Sequence, residues 1–434
     1  MKLSTITIAA LLAAGPTAFQ SVAAQDIEPG LSAADIGFAE PLTANWMASH
    51  PGDFGAAKLV ADPAAVPTSE HTESLPVQFA WPLNEAPAAA FDLPQVDSRQ
   101  YWVDATGGEL AKGISLPLTA PGAVIRISPL DAQAKVRIAP DRLSLAIVSP
   151  TEGERALDAG ALAHLADGAA LKAAGMDVPE ASLAFQLAES VPAGSLKLGV
   201  GALPADEPMV VHVFEPRSPW SGQLTLPARD FFTGDTVSMG FGIGDGKSQL
   251  PIGSVQAVVT DPTARRQFDV RLDPSSGTLV GELPKDLDVT GRNGLFEAHA
   301  FLETTTPDGL VVRRDLKIPF SVAPPLARLD GTVKAELNDG LVLDVGVETA
   351  AAGRYQLNGQ VFGTRPDGTL APIAQAQVAA PLAAGAGTLQ LKVDRSILSA
   401  SGLDAPFEVR GLELLDQGRM FRLQRQQNAL RITR

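Results

Sequence analysis

After Arg99 most of the chain alternates apolar and polar residues with a period of two, the pattern of β-strands with one buried face. The alternation is clearest at 209–215, where Val211, Val213 and Glu215 face one way and Val210, His212 and Phe214 the other. Pro216 and Pro219 then remove two backbone donors within four residues, so the strand cannot continue as a paired central element. The chain must leave one sheet there. From Gln223 onward come short strands broken by glycine turns, with almost no helical periodicity, which predicts a new all-β module.

Upstream the text is less regular. Residues 25–94 are rich in alanine and proline, which predicts an extended or loop-rich stretch, one able to wrap a later sheet, with short helices only near 33–38. Residues 100–105 alternate, Thr106-Gly107-Gly108 reads as a turn, and 122–129, 135–139 and 142–149 read as strands. One helix is expected: Leu162, Leu165, Ala166 and Ala169 recur at its period, Asp158 stands to cap it, Gly168 to break it into two turns and Gly175 to end it. Period two returns after Pro179 through Leu183, Phe185 and Leu187, then Leu196 and Leu198.

Beyond residue 222 two β-modules are separated by Pro324-Pro325, read as a stiff spacer. They share an echo. Gly294-Leu295-Phe296 leads to Pro307-Asp308-Gly309 as Gly353-Arg354-Tyr355 leads to Pro366-Asp367-Gly368, each reading as strand, turn, strand. A fainter echo joins Gly277-Thr278-Leu279 to Gly387-Thr388-Leu389. The fold expected is mainly β: a β-rich N-terminal domain with a short helical insertion over 25–218, then immunoglobulin-like sandwiches over 219–324 and 325–434, in a rod-like array.

Composition sets the compartment. Lys2, the apolar run 6–14 and the small residues Val22-Ala23-Ala24 predict a cleaved secretory signal over 1–24, and no later stretch approaches the roughly 20 apolar residues of a membrane helix. There is no cysteine, hence no disulfide, thiolate metal site or lipidated N-terminal cysteine. With Lys2 removed, 33 of the 34 basic residues face 49 acidic ones, a balance that disfavours nucleic acid and anionic membranes. The expected location is periplasmic, with secretion as the alternative.

The order of GAVIRISP at 122–129, VHVFEPRSPW at 211–220 and GLFEAHAFLETTTPDGLVVRR at 294–314 resembles a bacterial family of exported proteins, domain-of-unknown-function family 4785. The third module is similar to immunoglobulin-like sandwiches that accompany adhesive or von Willebrand-type domains, through 353–359, Asp367-Gly368, 389–393 and 404–407. Neither resemblance implies a catalytic residue.

The chemistry-bearing motifs are few. The five histidines, at 50, 71, 164, 212 and 299, show no metal-ligand spacing. The glycine-rich 242–248 ends in Gly-Lys-Ser, but Phe241 replaces the first glycine of a phosphate loop and Pro251 forbids the helix that would follow, so a hairpin is expected. Asp308 and Asp367 read as turn residues rather than calcium ligands. No Gly-x-Ser-x-Gly elbow occurs. Of adjacent Tyr101 and Trp102, at most one is core, and Trp220 reads as the apolar plug of a domain joint. These features point to a non-catalytic binding protein without cofactor or metal, its partner a protein or glycan of the cell envelope. The candidate surface is a joint of His212, Glu215, Arg217 and Trp220 with Asp230 and Phe231. Two alternatives stand beside it: an envelope polysaccharide hydrolase with a carboxylate pair in the N-terminal domain, and a structural spacer or adhesin with an open edge strand.

Overall fold

The computed structural model describes residues 40–60, 75–85, 93–149, 153–287, 289 and 294–434, all in one compact unit. The expected signal at 1–24, the short helices near 33–38 and His71 lie outside the described residues. The described chain is mainly β, as the alternation requires.

The N-terminal module is two sheets around one core. The larger has the order Leu162–Asp167, Leu183–Leu187, Val124–Pro129, Pro208–Phe214, Gln100–Thr106; the smaller runs Ile114–Leu118, Gly194–Val200, Leu143–Ser149, Gly153–Ala156. Ile125, Ile127, Leu183 and Val211 from the first meet Leu116, Leu196 and Leu198 from the second, all at most 1% exposed. Tyr101 points into this core and donates its hydroxyl to the Pro117 carbonyl at 2.8 Å, whereas Trp102 points out. The predicted alternation of 209–215 holds: Met209, Val211, Val213 and Glu215 are buried, and Phe214 is exposed.

The helices differ from expectation in a consistent way. Residues 162–167 form a strand, and only Gly168–Ala173 is helical, capped by the Asp167 carboxylate rather than by Asp158, which caps a single 3₁₀ turn. Thr106-Gly107-Gly108, read as a turn, starts a second helix, Gly107–Lys112, through a reciprocal capping box between Thr106 and Glu109. Both helices follow a strand, open on glycine behind a capping side chain and bury one leucine, Leu110 or Leu171. A Cβ on either glycine would lie 2.1 Å from a carbonyl oxygen, of Pro204 or Glu180, so the helix seats directly on neighbouring backbone.

The middle module is a ten-stranded, curled sheet running from Asp230–Phe232 to Gln95–Ser98, and the C-terminal module another, from Gly385–Asp394 to Val77–Pro82. The two Pro-Asp-Gly echoes make the same turn. Gly309 (φ +89°) and Gly368 (φ +84°) donate to Thr306 and Arg365, and Thr306 and Arg365 in turn donate to Leu310 and Thr369. The 242–248 segment is a hairpin in which Asp245 Oδ1 accepts from the amides of Lys247 and Ser248.

Two features depart from a row of self-contained modules. First, no described strand before Gln100 pairs with the N-terminal sheets. Glu40–Trp46 is inserted between Ala327–Asn338 and Phe421–Thr433, Val77–Pro82 adds to Leu370–Leu382, and Gln95–Ser98 pairs with Ser221–Thr225. Chain from the expected 25–218 segment is thus built into both later modules. Second, Pro324-Pro325 is no free spacer: Pro324, Leu326 and Ala327 are buried, and the C-terminal core takes in Phe232 and Ala323 from the other side of it.

Candidate functional site

The six residues singled out in the sequence fall into four places. Glu215 directly follows the strand Pro208–Phe214, its side chain inside the protein and facing Arg314 of Val311–Ala323; neither side chain has any exposed surface. Glu215 Oε2 accepts from Arg314 Nη1 at 2.8 Å, and Oε1 accepts from the Thr119 amide at 2.5 Å and the Thr119 hydroxyl at 2.9 Å. Arg314 spends its other donors on the Trp220 carbonyl, the Ser218 hydroxyl and the Arg313 carbonyl at 2.9, 2.7 and 2.5 Å. A buried pair survives only when its remaining hydrogen-bonding capacity is met, and here it is. Burial still lowers the Arg314 pKa, against the opposing pull of Glu215. The half-buried Trp220 ring packs on the middle core while its backbone serves this network. Arg217 stands outside it, exposed and paired with Glu189.

Asp230 and Phe231 belong to the other joint. Asp230 is buried between the Ser321 hydroxyl at 3.0 Å and Arg422 of the C-terminal module at 2.9 Å. Phe231 is 5% exposed and meets Phe320 edge-on, and next to it Phe232 stacks on Phe54 at 4.3 Å. Ser321 follows Arg314 by seven residues on one strand, roughly 23 Å at the usual strand rise. The structure therefore does not bring the six into one surface; Glu215, Asp230 and Phe231 are interior. Glu215 is the one buried carboxylate among the described residues of 100–218, and its partner is a guanidinium rather than a second acid.

His212 lies on the outer face of the larger N-terminal sheet, directly between Arg126 and Trp102 on the flanking strands. Burial and the nearby Arg126 push its pKa down to about 4, so the ring is neutral at pH 7. Beside it the sheet's last strand is closed by Asp315, whose Oδ2 accepts the Trp102 amide at 2.7 Å. Burial raises the Asp315 carboxyl to about 6.

The concave site lies elsewhere. A cleft of about 650 Å³ opens where the Pro-Asp-Gly hairpin of the middle module overhangs the smaller N-terminal sheet. Its walls are Pro117, Ile147, Val148 and Pro192 on one side and Leu310 and Val311 on the other, with Arg155, Arg313 and Asp308 at the rim. Arg313 is held by Glu303 at 2.6 Å, and Ser115 and Ser195 share a hydrogen bond at 2.5 Å. Sequence reasoning missed this cleft, because its walls come from segments far apart in the chain, within 117–192 and at Leu310-Val311; the one local signal was the Pro-Asp-Gly turn. A second, polar crevice of about 600 Å³ in the C-terminal module contains His50, Asp53 and Asp330. Asp53 is committed there to the amides of His50 and Gln427, both at 2.7 Å. Among the described residues no group of three or more His, Asp or Glu is arranged to hold a metal ion.

No curated protein matches the chain. A crystal structure of a DUF4785 family protein from Legionella pneumophila shares the fold, with a TM-score of 0.64 at 18% identity over 88% of this chain and 98% of that one. The model of the DUF4785 N-terminal domain matches residues 68–215 and that of the DUF4785 C-terminal domain residues 326–433. With both terminal domains matched, and the order of segments at 122–129, 211–220 and 294–314 between and beside them, the chain belongs to the DUF4785 family.

Proposed function

We propose that this is a non-catalytic binding protein of the cell envelope, carried to the periplasm by the leader at 1–24, and that its ligand seats in the cleft between the N-terminal and middle modules. The observation that carries the reading is the cleft itself. It has the volume of a ligand site, a largely apolar lining and a few polar groups at the rim. Its two walls belong to different modules, and the fully enclosed Glu215–Arg314 network beside it fixes their spacing. A preformed concavity spends little binding energy on ordering. The absence of cysteine suits a compartment where thiols oxidise.

The partner is a protein of the envelope that inserts an apolar segment between Val148 and Leu310. Crosslinking in intact envelopes with the full chain tests this. Val148→Asp and Leu310→Asp each place a charge on one wall and should abolish recovery of the partner captured by the natural protein, whereas Arg217→Ala, outside the cleft, should not. Undiminished recovery with both cleft variants would overturn the reading.

A further inference from the structure

The outer face of the larger N-terminal sheet carries a row of side chains that the cleft does not use. Strand register places Arg126, His212 and Trp102 directly opposite one another on three adjacent strands, about 10 Å from first to last at the usual strand spacing. The His212 and Trp102 rings stack with centroids 5.1 Å apart, and Lys317 of the middle module sets its ammonium 5.8 Å from the centre of the Trp102 ring. His212 Nε2 is fixed by Gln100 Oε1 at 2.8 Å. The strip is bounded: Leu171 and Val178 pack over Ala166 and Ala184 on one side, and Asp104, one pleat along from Trp102, closes an end.

Its two cations are unpaired, although Asp104 and Asp315 stand two residues from Trp102 and from Lys317 on their own strands. Arg126 forms no hydrogen bond or ion pair among the described residues, and its enclosed Nε has no partner. Lys317 likewise has no carboxylate partner among them. About half of the other described arginines are paired with acids, in a chain with a formal charge of −15. The enclosed Nε is out of a ligand's reach, but the two Nη groups are neither enclosed nor hydrogen-bonded among the described residues and can pair with a carboxylate. The floor around the row is apolar, with Val124, Val210 and the 39% exposed Phe214 on the same face.

From this arrangement we infer that the outer sheet face is a binding site for an acidic glycan, with carboxylates paired to Arg126 and Lys317 and sugar rings lying over Phe214 and Val210. Two separated cations call for a chain with repeated carboxylates rather than a single anion. The apolar floor and the Gln100 amide favour a hydroxylated ring body over a peptide of acidic side chains. The site is independent of the cleft.

Titration calorimetry of the full chain with a galacturonic acid oligomer tests the inference. The expected result is saturable binding that weakens about tenfold in Arg126→Gln and again in Lys317→Gln, the loss of one charged hydrogen bond each. The exposed Lys317 position tolerates substitution without loss of fold, so its variant stands even if Arg126→Gln unfolds. Val148→Asp should leave this binding unchanged, which separates it from the cleft. No binding of the acidic oligomer, equal binding of its carboxyl-reduced neutral counterpart, equal binding of polyglutamate, or insensitivity to Lys317→Gln would each overturn it.

Discussion

Glu215 and Arg314 show how one side chain holds two modules. Both are fully enclosed, and all three guanidinium nitrogens donate to acceptors drawn from the N-terminal module, the linker after it or the arginine's own strand. Replacing Arg314 by Met leaves an uncompensated carboxylate in the interior and should cost about 3–5 kcal/mol in urea unfolding; pairing it with Glu215→Gln should recover much of that loss. Nearby, Asp315 and His212 titrate in opposing senses. The Asp315 carboxyl lies at about 6 in the folded protein, raised by burial from the ordinary 3.8 of an aspartate, so the folded state binds the proton more tightly. Its contribution to stability falls as pH rises from about 4 to about 6. His212, at about 4 against 6.5, loses its proton on folding, so its contribution falls as pH drops through the same window. The two slopes largely cancel in the natural protein. Asp315→Asn should unmask the histidine, giving a variant whose stability rises by on the order of 2 kcal/mol between pH 4 and 6.5, measured by denaturant titration at each pH. A flat profile in that variant would remove the assignment.

At the scale of elements, the N-terminal module repeats one device, a strand delivered into a short helix by a capping side chain and a glycine. Six-residue helices have little stability of their own, so the cap and the single buried leucine must hold them. Thr106→Ala should cost about 1 kcal/mol, and Gly168→Ala, whose Cβ would meet the Glu180 carbonyl at 2.1 Å, should cost more, about 1–3 kcal/mol, both read from thermal or urea unfolding. The periodicity of 158–175 was misleading for a physical reason. Leu162 and Ala166 are spaced as on a helix, but the strand formed there is an edge strand with a register shift between Leu162 and His164, which breaks strict alternation. The capping box at Thr106 and Glu109 was legible in the chain, yet the two glycines inside it favoured a turn reading.

On the scale of the whole molecule the described chain runs outward and back: Glu40–Trp46, Phe54–Gly55 and Val77–Pro82 lie in the C-terminal module, Gln95–Ser98 in the middle one, the strands from Gln100–Thr106 to Pro208–Phe214 build the N-terminal one, and the strands after them return through the other two. The inserted strand Glu40–Trp46 buries Leu42 and ties Trp46 Nε1 to the Gly331 carbonyl at 2.7 Å. A fragment 325–434 therefore lacks a strand from the middle of its sheet and exposes two unpaired edges. It should be poorly soluble or unfolded alone, and a peptide of residues 40–60 added in trans should restore cooperative unfolding, followed by circular dichroism. A stable, monomeric 325–434 fragment that ignores the peptide would contradict this account.

Alternation, turn glycines and proline breaks acted locally, so residues alone determined the mainly β class, the strand 209–215 with Glu215 on its inner face, both Pro-Asp-Gly hairpins and the order of segments typical of the family. Three things awaited the tertiary structure: the return of the strands Glu40–Trp46, Val77–Pro82 and Gln95–Ser98 to distant sheets, the burial of Glu215, Asp230 and Phe231 at two separate joints, and the cleft between residues far apart in the chain. Strand pairing and charge pairing across such separations depend on which surfaces meet. An inserted strand such as Glu40–Trp46 carries too little hydrophobic pattern of its own to announce its partners.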